Sequence, residues 1–597
     1  MKNVARSFTW ITTVVLMTPA LFGQAVAWTP ENSSAILEKT AVTRLAPDLS
    51  TLSAGEQKAV AQLLEAGKLM QELFEIERHY QALDAKKGLE AKQAKSPSKA
   101  TTDLLDLYWL NSGPIAATLD NKRQAITSVD PPVPGRNVYP WGITREEIEA
   151  FLEKNPVRRD SILAERTVIR RATKENLALD LATLKKHPAL SVLHPALEAD
   201  LRGMAKRPDA KALYAVPYPV AWADRMMKIY AHLHSAADSV ESSDSEFARY
   251  LRNRARDLLS NDYESGDAAW VTGQFKNLNA QIGSYETYDD AIFGVKAFHS
   301  LSLLKRNVKA SAELSKALGG LQEFENSLPY DQKRRVREQI PVGVYEVIAD
   351  FGQARGGNTA TILPNDALHA RRYGRTILLR QNILEHPELF AASKKIWDAA
   401  VGPSFENDMR SAGEFHRTLW HEIGHYLGVD VDRQGRELGI ALGEYADALE
   451  EMKADLVSLH VGATLRKNGY YDDETLRALY AGGIRRTLQN NRPRADQPYQ
   501  TMQLMQFNYF LENGLIKFDS AEGDLSIDYT KYPVVVRELL RQVLDVQYSG
   551  DKEKAKVFFE RWGAWKPELH EALAARIRTA QGPRFRLFRY AALEQSR

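Results

Sequence analysis

Long parts of the chain repeat apolar residues at helical spacing. Between Leu52 and Lys95 the text is rich in Ala, Leu, Glu and Lys, and its segment LLEAGKLMQELFEIERHYQAL predicts one long amphipathic helix. The same spacing returns in RYLRNRARDLL and from about residue 386 to the end of the chain. Thr144 is a candidate cap for a further helix, because acidic residues follow it in ITREEIEAFLEKN. Most of the chain is therefore expected to be helical.

Between residues 335 and 385 the pattern changes. The segments VGVYEVIADFG, NTATILP and RTILL are rich in β-branched residues and bounded by Gly and Pro, so they predict strands of a small sheet or barrel. SVDPPVPGRNVYPWG (128–142) has too many prolines and glycines for regular structure, and the polar segment 86–102 predicts a surface loop or helix end. The expected fold is predominantly α with a small β-structure, of the α+β class.

Length and the first residues add two expectations. A chain of 597 residues with 44% hydrophobic residues is too long for one compact core, so two or more lobes are expected. Residues 1–27 run from Lys2 and Arg6 through an apolar stretch to Ala-Val-Ala, which is typical of a cleaved secretory signal. The alternative is a retained membrane anchor, but the apolar run is short and Pro19 interrupts it. We expect a mature protein in the periplasm or outside the cell, with no membrane attachment.

Charge and cysteine content exclude several classes of function. The chain has 79 Lys+Arg and 77 Asp+Glu, and the signal segment holds two of the basic and none of the acidic residues, so the mature chain is formally neutral. Nucleic-acid binders usually carry a concentrated basic surplus, so a nucleic-acid partner is not expected. The absence of cysteine excludes disulfide scaffolds, thiolate metal sites and a cysteine nucleophile.

The clearest chemical signal is HEIGH, within EFHRTLWHEIGHYLG. On an α-helix, residues four apart lie about 40° apart around the axis and about 6 Å along it, so His421 and His425 can direct two imidazoles at one metal ion. Glu422 is rotated by about 100° from His421 and can reach a water activated at that ion. A hydrolytic zinc site also needs a third protein ligand and an open position.

The third ligand is expected on a second helical pattern, ALGEYADALEEMKADLVSLH. Glu451 and Asp455 are four residues apart and share a face, so one can bind the metal while the other accepts a histidine N–H. Glu451 is the expected ligand and Glu450 the reserve, with Asp455 and Glu450 otherwise supporting the histidines. His416 and His460 are interpreted as packing histidines. The alternative to a metal site is two buried histidines beside a solvated acidic face.

HEIGH followed by LEEMKAD resembles the pair of zinc-binding motifs of the dipeptidyl peptidase III family. Similar blocks are SNDYESGDAAW (260–270), SYETYDDAIFGVKAF (284–298), TILPND (361–366) and MQFNYFLENG (505–514), so the resemblance spans about residues 210–550. The family's usual motif is H-E-x-x-G-H, whereas this chain has the five-residue form of its bacterial and plant relatives. The resemblance implies two lobes around a wide cleft, with zinc in a helical lobe.

The resemblance also implies roles for individual residues. One zinc ion per chain is assigned to His421, His425 and Glu451, and the general base to Glu422. Tyr288 corresponds to a tyrosine that supports the tetrahedral oxyanion. These roles fit the chemistry, because a carboxylate can take the proton from water and a phenol can donate to a developing negative charge.

Substrate binding is where the chain both follows the family and departs from it. Glu286 and Asn365 correspond to groups that hold the free amino terminus of the peptide. Tyr499 stands where the family has a histidine that helps stabilise the transition state, and Ile362 replaces a second substrate-binding asparagine. Tyr499 can still donate a hydrogen bond, so a weaker activity rather than none is expected.

The leading hypothesis is a secreted zinc exopeptidase that releases dipeptides from short peptides. The alternatives are a zinc aminopeptidase or endopeptidase, and a zinc-containing peptide-binding protein with little turnover. Along the chain we expect a signal segment (1–27), a mainly helical N-terminal region (28–270), a mixed region with the β-structure (271–385) and a helical zinc-binding region (386–597). The sequence makes no prediction of the oligomeric state.

Overall fold

The computed structural model describes residues 28–336, 340–356, 358–364, 366–493 and 497–594. The expected signal segment 1–27 and Asn365 lie outside the described residues. None of the helices within these ranges combines the length and the apolar character needed to span a bilayer.

Helices account for most of the described chain. The first thirteen are α1 (Pro30–Leu37), α2 (Ala54–Arg78), α3 (Ala82–Lys95), α4 (Lys99–Asn111), α5 (Arg145–Lys154), α6 (Arg159–Leu163), α7 (Lys174–Lys186), α8 (Pro188–Leu193), α9 (Pro195–Ala205), α10 (Tyr218–Ala221), α11 (Ala223–Val240), α12 (Ser245–Ser260) and α13 (Glu264–Thr272). The others are α14 (Val308–Ala317), α15 (Leu321–Ser327), α16 (Ala367–Tyr373), α17 (Gln381–Leu384), α18 (Pro387–Ala400), α19 (Ser411–Gly424), α20 (Leu438–Leu442), α21 (Ala446–Lys467), α22 (Asp473–Thr487), α23 (Pro498–Glu512), α24 (Tyr532–Ser549), α25 (Lys552–Trp562), α26 (Pro567–Ala580) and α27 (Ala591–Glu594).

The strands are short and form one central sheet and several pairs. They are β1 (Thr40–Leu45), β2 (Ile115–Ala117), β3 (Arg123–Ala125), β4 (Thr167–Ala172), β5 (Asp209–Pro217), β6 (Leu278–Glu286), β7 (Phe298–Arg306), β8 (Val342–Gly352), β9 (Ala360–Leu363), β10 (Thr376–Arg380), β11 (Ile516–Asp519), β12 (Asp524–Ile527) and β13 (Phe585–Tyr590). The central sheet has the order β6-β7-β8-β10-β9, with β8 and β10 parallel and the other neighbours antiparallel. The fold class expected from the patterns, predominantly helical with a small β-structure, is confirmed.

Two large hydrophobic cores meet at this sheet. One is built mainly from α2, α11, α12, β6 and β7, and the other from α19, α21, α23 and α24. Strand β10 contributes to both, because Leu378 packs in the first core while Ile377 and Leu379 pack in the second. Side chains of a strand alternate between its two faces, so β10 separates the cores. Residues near this strand lie between the two halves of the molecule.

Several local expectations are confirmed. The three apolar segments between residues 335 and 385 form β8, β9 and β10. Thr144 caps α5 in a capping box, in which its hydroxyl accepts from the backbone N–H of Glu147 at 3.2 Å and the Glu147 carboxylate accepts the N–H of Thr144 at 3.0 Å. The match between cap, acidic first turn and apolar face explains why this helix begins where the sequence indicates.

Two expectations differ from the structure. The single helix expected up to Lys95 is broken, because α2 ends at Arg78 and His79 takes an extended conformation. His79 is buried, bonds the backbone oxygen of Asp130 through Nε2 at 2.9 Å and packs edge-on against Trp141, so tertiary contacts override the local helical preference. The C-terminal region, expected to be helical throughout, also contains β11, β12 and β13, and β13 pairs in parallel with β1 near the other end of the chain.

Candidate metal centre

The HEIGH segment forms the C-terminal end of α19, with His425 as its C-cap in a helical backbone conformation. This helix crosses α21 and α22 at very short distances. A Cβ added at Gly424 would lie 2.8 Å from the carbonyl oxygen of Ala454 in α21, and one at Gly413 would lie 2.1 Å from that of Ala478 in α22. Both distances are too short for a real side chain next to backbone, so glycine is needed at each crossing. The close approach places the two imidazoles of HEIGH beside the carboxylates of α21.

Three potential metal-ligating side chains meet at this crossing: His421, His425 and Glu451, with one ligand atom from each lying within 4.8 Å of the others. Oε2 of Glu451 is 3.2 Å from Nε2 of His421 and 3.9 Å from Nε2 of His425. The two imidazole rings stand nearly perpendicular, at 87°. Oε2 of Glu451 is buried and makes no well-directed hydrogen bond, which is costly unless a cation occupies the space between the three atoms.

The outer nitrogen of each histidine is held by a carboxylate. Nδ1 of His421 bonds Oδ1 of Asp455 at 2.6 Å, and Nδ1 of His425 bonds Oε1 of Glu450 at 2.9 Å. With the proton on Nδ1, the lone pair of Nε2 faces Glu451 and is free to bind a metal. Once a metal displaces the proton on Nε2 of His421, two neutral imidazoles and one carboxylate form a ligand set suited to zinc. The residues present therefore fit the metal.

Ionised carboxylates make the cluster strongly negative. Burial lowers the pKa of His421, but the charge and hydrogen bond of Asp455 outweigh it and raise this pKa to about 9. Burial would raise the pKa of Glu450, yet Lys453 and His425 hold it at about 2. The pKa of Glu451 is also lowered, against the effect of burial, by its two histidine neighbours. Carboxylates that stay ionised in a buried site provide the negative charge that a divalent cation requires.

Two arginines that were not singled out from the sequence complete the support of Asp455. Arg417 donates to Oδ1 at 3.2 Å and Arg486 donates to Oδ2 at 3.1 Å. Both hold the pKa of Asp455 far below its usual range despite complete burial. Arg417 precedes His421 by one helical turn, so the sequence spacing alone could have placed both side chains on one face. Arg486 comes from α22, and only the tertiary structure shows that it reaches Asp455.

Glu422 is not part of this hydrogen-bond network. It is partly buried, and among the described residues no hydrogen bond or ion pair holds its carboxylate. Its charge acts on His421 and Tyr499, so it lies beside the cluster rather than within it. A carboxylate that is near a metal position but not engaged elsewhere is free to accept a proton.

Tyr288 and Glu286 approach the cluster from the central sheet. Glu286 is the last residue of β6, where a bulge interrupts the pairing with β7, and Tyr288 follows it. The charge of Glu286 is the main reason why the pKa of Tyr288 is raised, and the charge of Glu451 adds to this effect. Because Glu451 belongs to the other core, Tyr288 lies within electrostatic reach of both sides.

The neighbourhood of Glu286 contains three more acidic groups that the sequence patterns did not reveal. Glu165, just before β4, has a pKa raised by burial and by the charges of Asp366, Asp267 and Glu286, although Arg166 bonds it at 2.9 Å and acts in the opposite direction. Acidic residues from four separate segments thus lie within electrostatic reach of one another and form an acidic wall. No local pattern joins these segments, so only the fold reveals it.

Ile362 and Tyr499, the two positions that depart from the family pattern, have different surroundings in the structure. Ile362 lies in β9 opposite Ile377 of β10 and is partly buried, so an apolar side chain lines this part of the sheet. Tyr499, in the first turn of α23, donates its O–H to Oε1 of Glu451 at 2.9 Å. Its contact is thus with the metal cluster itself.

The two histidines interpreted as packing residues are not part of the cluster. His416 packs against Phe415, Tyr470 and Tyr471, and burial lowers its pKa to about 4. Nε2 of His460 bonds the backbone oxygen of Ser327 at 3.1 Å. Both are neutral and contact residues remote from the ligand set.

Comparisons with known proteins place the chain among solved structures of one kind. The structure of DPP III, dipeptidyl peptidase III, from Caldithrix abyssi superposes with a TM-score of 0.79 at 25% identity, and the match covers 94% of this chain and 99% of that one. Dipeptidyl-peptidase III from Corallococcus sp. strain EGB superposes with a TM-score of 0.72 at 23% identity, over 95% of this chain and 98% of that one. The likeness extends over both cores and the central sheet.

The sequence comparisons are less uniform. No protein-family model matches the chain. Nudix hydrolase 3 from Arabidopsis thaliana is 25% identical over 575 residues, which is 90% of this chain and 71% of that protein. More than a quarter of the plant protein therefore lies outside the match.

Proposed function

We propose that this chain, which is a relative of the dipeptidyl peptidase III family, is a zinc-dependent peptidase that releases dipeptides from the amino termini of short peptides. The family relationship and the two-lobed fold are carried by the solved structures. The observation that carries the chemistry is the meeting of His421, His425 and Glu451, with the unengaged Glu422 beside them. A ligand set of this kind with a neighbouring carboxylate base suits peptide hydrolysis.

Zinc held by His421, His425 and Glu451 would polarise the scissile carbonyl and make a water molecule more acidic. Glu422 accepts the proton of that water and passes it to the leaving amine. Asp455 and Glu450 keep the ring protons on the outer nitrogens of the histidines, so that the inner lone pairs remain available. The protein's own contribution is thus a base and a fixed set of donors.

Tyr288 is proposed to donate its O–H to the carbonyl oxygen as negative charge develops. The raised pKa keeps its phenol protonated at neutral pH, which a hydrogen-bond donor requires. Its position after the bulge of β6 supports the role, because a side chain there can reach substrate held between the cores. The free energy of this donation is gained mainly in the transition state.

Glu286 is proposed to bind the ammonium group at the amino terminus of the substrate, together with Asn365. The nearby charges of Glu165 and Asp366 favour a cation at this place. An ammonium site at a fixed distance from the base would set which peptide bond is cleaved. Ile362 supplies an apolar wall instead of a second amide, which favours an aliphatic second side chain in the substrate.

The test measures bound metal and products on the same samples. Purified wild type and Glu422→Gln are analysed for zinc by mass spectrometry and incubated with synthetic peptides of three to ten residues, each with a free or an acetylated amino terminus. We expect one zinc per chain in both proteins. Dipeptides should be released only from free amino termini, and Glu422→Gln should release them more slowly than wild type by a factor of about 10² to 10⁴.

Other outcomes assign the alternatives. Release of single residues indicates an aminopeptidase, and cleavage of acetylated peptides indicates an endopeptidase. Zinc in both proteins with no cleavage of any peptide indicates a peptide-binding protein. The name of the plant relative describes that protein, more than a quarter of which lies outside the match.

We further propose that residues 1–27 direct export to the periplasm or the cell exterior. The support is the basic start, the apolar stretch and the Ala-Val-Ala site in the sequence. Expression of the full chain followed by amino-terminal sequencing of the product should give a start near Trp28. A product that retains its first residues in the cytoplasmic fraction would contradict this proposal.

A further inference from the structure

The clearest unassigned feature of the site is the contact between Tyr499 and Glu451. The O–H of Tyr499 donates to Oε1 of Glu451 at 2.9 Å, while Oε2 of the same carboxylate faces Nε2 of His421 at 3.2 Å. Oε1 and Oε2 thus have different environments. Oε1 accepts a hydrogen bond from a phenol, and Oε2 is buried without a well-directed hydrogen bond.

This division matters for a metal ligand. A carboxylate that is free to rotate can bind a cation through either oxygen or through both, whereas a hydrogen bond to the outer oxygen restricts this rotation and favours binding through the inner oxygen. The two histidines of the cluster are each fixed by a carboxylate on Nδ1. Tyr499 provides the corresponding support for the third side chain, so every expected ligand then has one outer partner.

The same contact limits what else Tyr499 can do. A phenol has one O–H, and a bond from it to an ionised carboxylate is stronger than a bond to a neutral carbonyl oxygen. Donation to the substrate would require that the bond to Glu451 be broken first. The geometry therefore favours a role on the ligand over the role of an oxyanion donor.

Arg486 ties this contact to the rest of the site. Its guanidinium lies 5.7 Å from the ring centroid of Tyr499, and its Nε bonds Oδ2 of Asp455 at 3.1 Å. The arginine thus contacts the supports of two different ligands at once. This arrangement holds the Tyr499 ring in place even though the residue is about half exposed.

We propose that Tyr499 is a positioning residue for the metal, which holds Glu451 so that Oε2 alone faces the cation. The inference rests on the proposed function in one respect, since it needs a divalent cation bound at the cluster. It concerns the retention and coordination of that cation rather than the cleavage step. It can therefore be tested without a peptide substrate.

The experiment compares zinc-loaded full-length wild type, Tyr499→Phe and Tyr509→Phe. Tyr509 is a matched control, because it lies on the same helix and its hydroxyl contacts Gln542 instead of the cluster. Zinc affinity and the rate of zinc transfer to a chromogenic chelator are measured for each. We expect an affinity about 10- to 100-fold lower and a faster release in Tyr499→Phe, with no change in Tyr509→Phe.

A second readout uses cobalt(II) in place of zinc. The visible spectrum of cobalt(II) reports the coordination number, and we expect it to change in Tyr499→Phe if the released carboxylate binds through both oxygens. Activity at saturating zinc is then measured to separate the two roles of Tyr499. Substantial recovery at high zinc supports positioning.

Retention of zinc at the wild-type affinity in Tyr499→Phe, with an unchanged cobalt spectrum, would overturn the inference. Such retention combined with a fall in kcat of about 100- to 1,000-fold would instead identify Tyr499 as an oxyanion donor. A wild type that binds neither zinc nor cobalt would overturn the proposed function, and this inference with it. The failure of the two ideas is therefore distinguishable.

Discussion

The metal side and the substrate side of the site differ in how firmly their side chains are held. His421, His425 and Glu451 lie on packed helices, and each has a hydrogen-bond partner on its outer atom. Tyr288, in contrast, follows an irregular strand end and is 83% exposed. From this difference we propose a preformed metal site facing groups that become ordered when a peptide binds between the cores.

Removal of the metal should have the largest effect. Prolonged dialysis against a chelator is expected to reduce peptide hydrolysis to background, and added zinc should restore it, because the cluster is already assembled without substrate. At a zinc concentration 100 times its dissociation constant, binding stabilises the folded protein by about 2.7 kcal/mol, so the melting temperature should fall after removal. Peptidase assays and thermal melts check both effects. Full activity in metal-free protein would contradict the proposal that the cluster binds a metal needed for hydrolysis.

On the substrate side, Tyr288→Phe should lower kcat by a factor of about 100 to 1,000, with zinc content and melting temperature unchanged, because only the proposed oxyanion donor is lost. Kinetic assays and metal analysis of the purified variant check this.

Tyr80→Phe is the matched control for that variant. Tyr80 also bonds a carboxylate, that of Asp130, but lies near the break between α2 and α3. Equal activity of Tyr288→Phe and Tyr80→Phe would remove Tyr288 from the catalytic groups.

A smaller effect is expected for Glu450→Gln. The amide oxygen of Gln can still accept a hydrogen bond from Nδ1–H of His425, but it lacks the negative charge that strengthens this bond. Zinc affinity should therefore fall about 10- to 100-fold. At saturating zinc most activity should remain. Glu444→Gln, which removes the acid of an exposed pair with Lys552, is the control. Identical zinc affinities in the two variants would mean that Glu450 does not support the ligand.

The smallest effect on activity is expected for His416→Leu, which tests the packing of α19. Burial lowers the pKa of His416 from 6.5 to about 4, so the unfolded chain takes up a proton first as the pH falls. The stability that His416 contributes as a neutral group is complete above pH 6.5 and is lost between pH 6.5 and about 4, by roughly 3 kcal/mol. The variant should show a shallower fall of melting temperature over that range. An unchanged slope would show that His416 does not remain neutral in the folded protein.

The helices of the protein show how far local patterns reach. The cap at Thr144 and the apolar runs of β8, β9 and β10 could be read from neighbouring residues, and the structure confirms them. The break at His79 could not, because it depends on Trp141 and on the backbone of Asp130. Strand β13 likewise depends on β1, at the opposite end of the chain. A pattern predicts an element reliably only when the contacts that stabilise it lie within that element.

The same limit separates the two halves of the candidate site. The spacing of His421 and His425 alone determined that two imidazoles share one face, because the helical repeat fixes this over a single turn. The choice between Glu450 and Glu451 was decided by the packing of α21 against Gly424, since adjacent residues on a helix point about 100° apart and only the crossing sets which one faces the histidines. The bond from Tyr499 to Glu451 and the acidic wall of Glu165 join distant segments. Such contacts arise from the tertiary structure, because the sequence spacing between their members carries no information about distance in space.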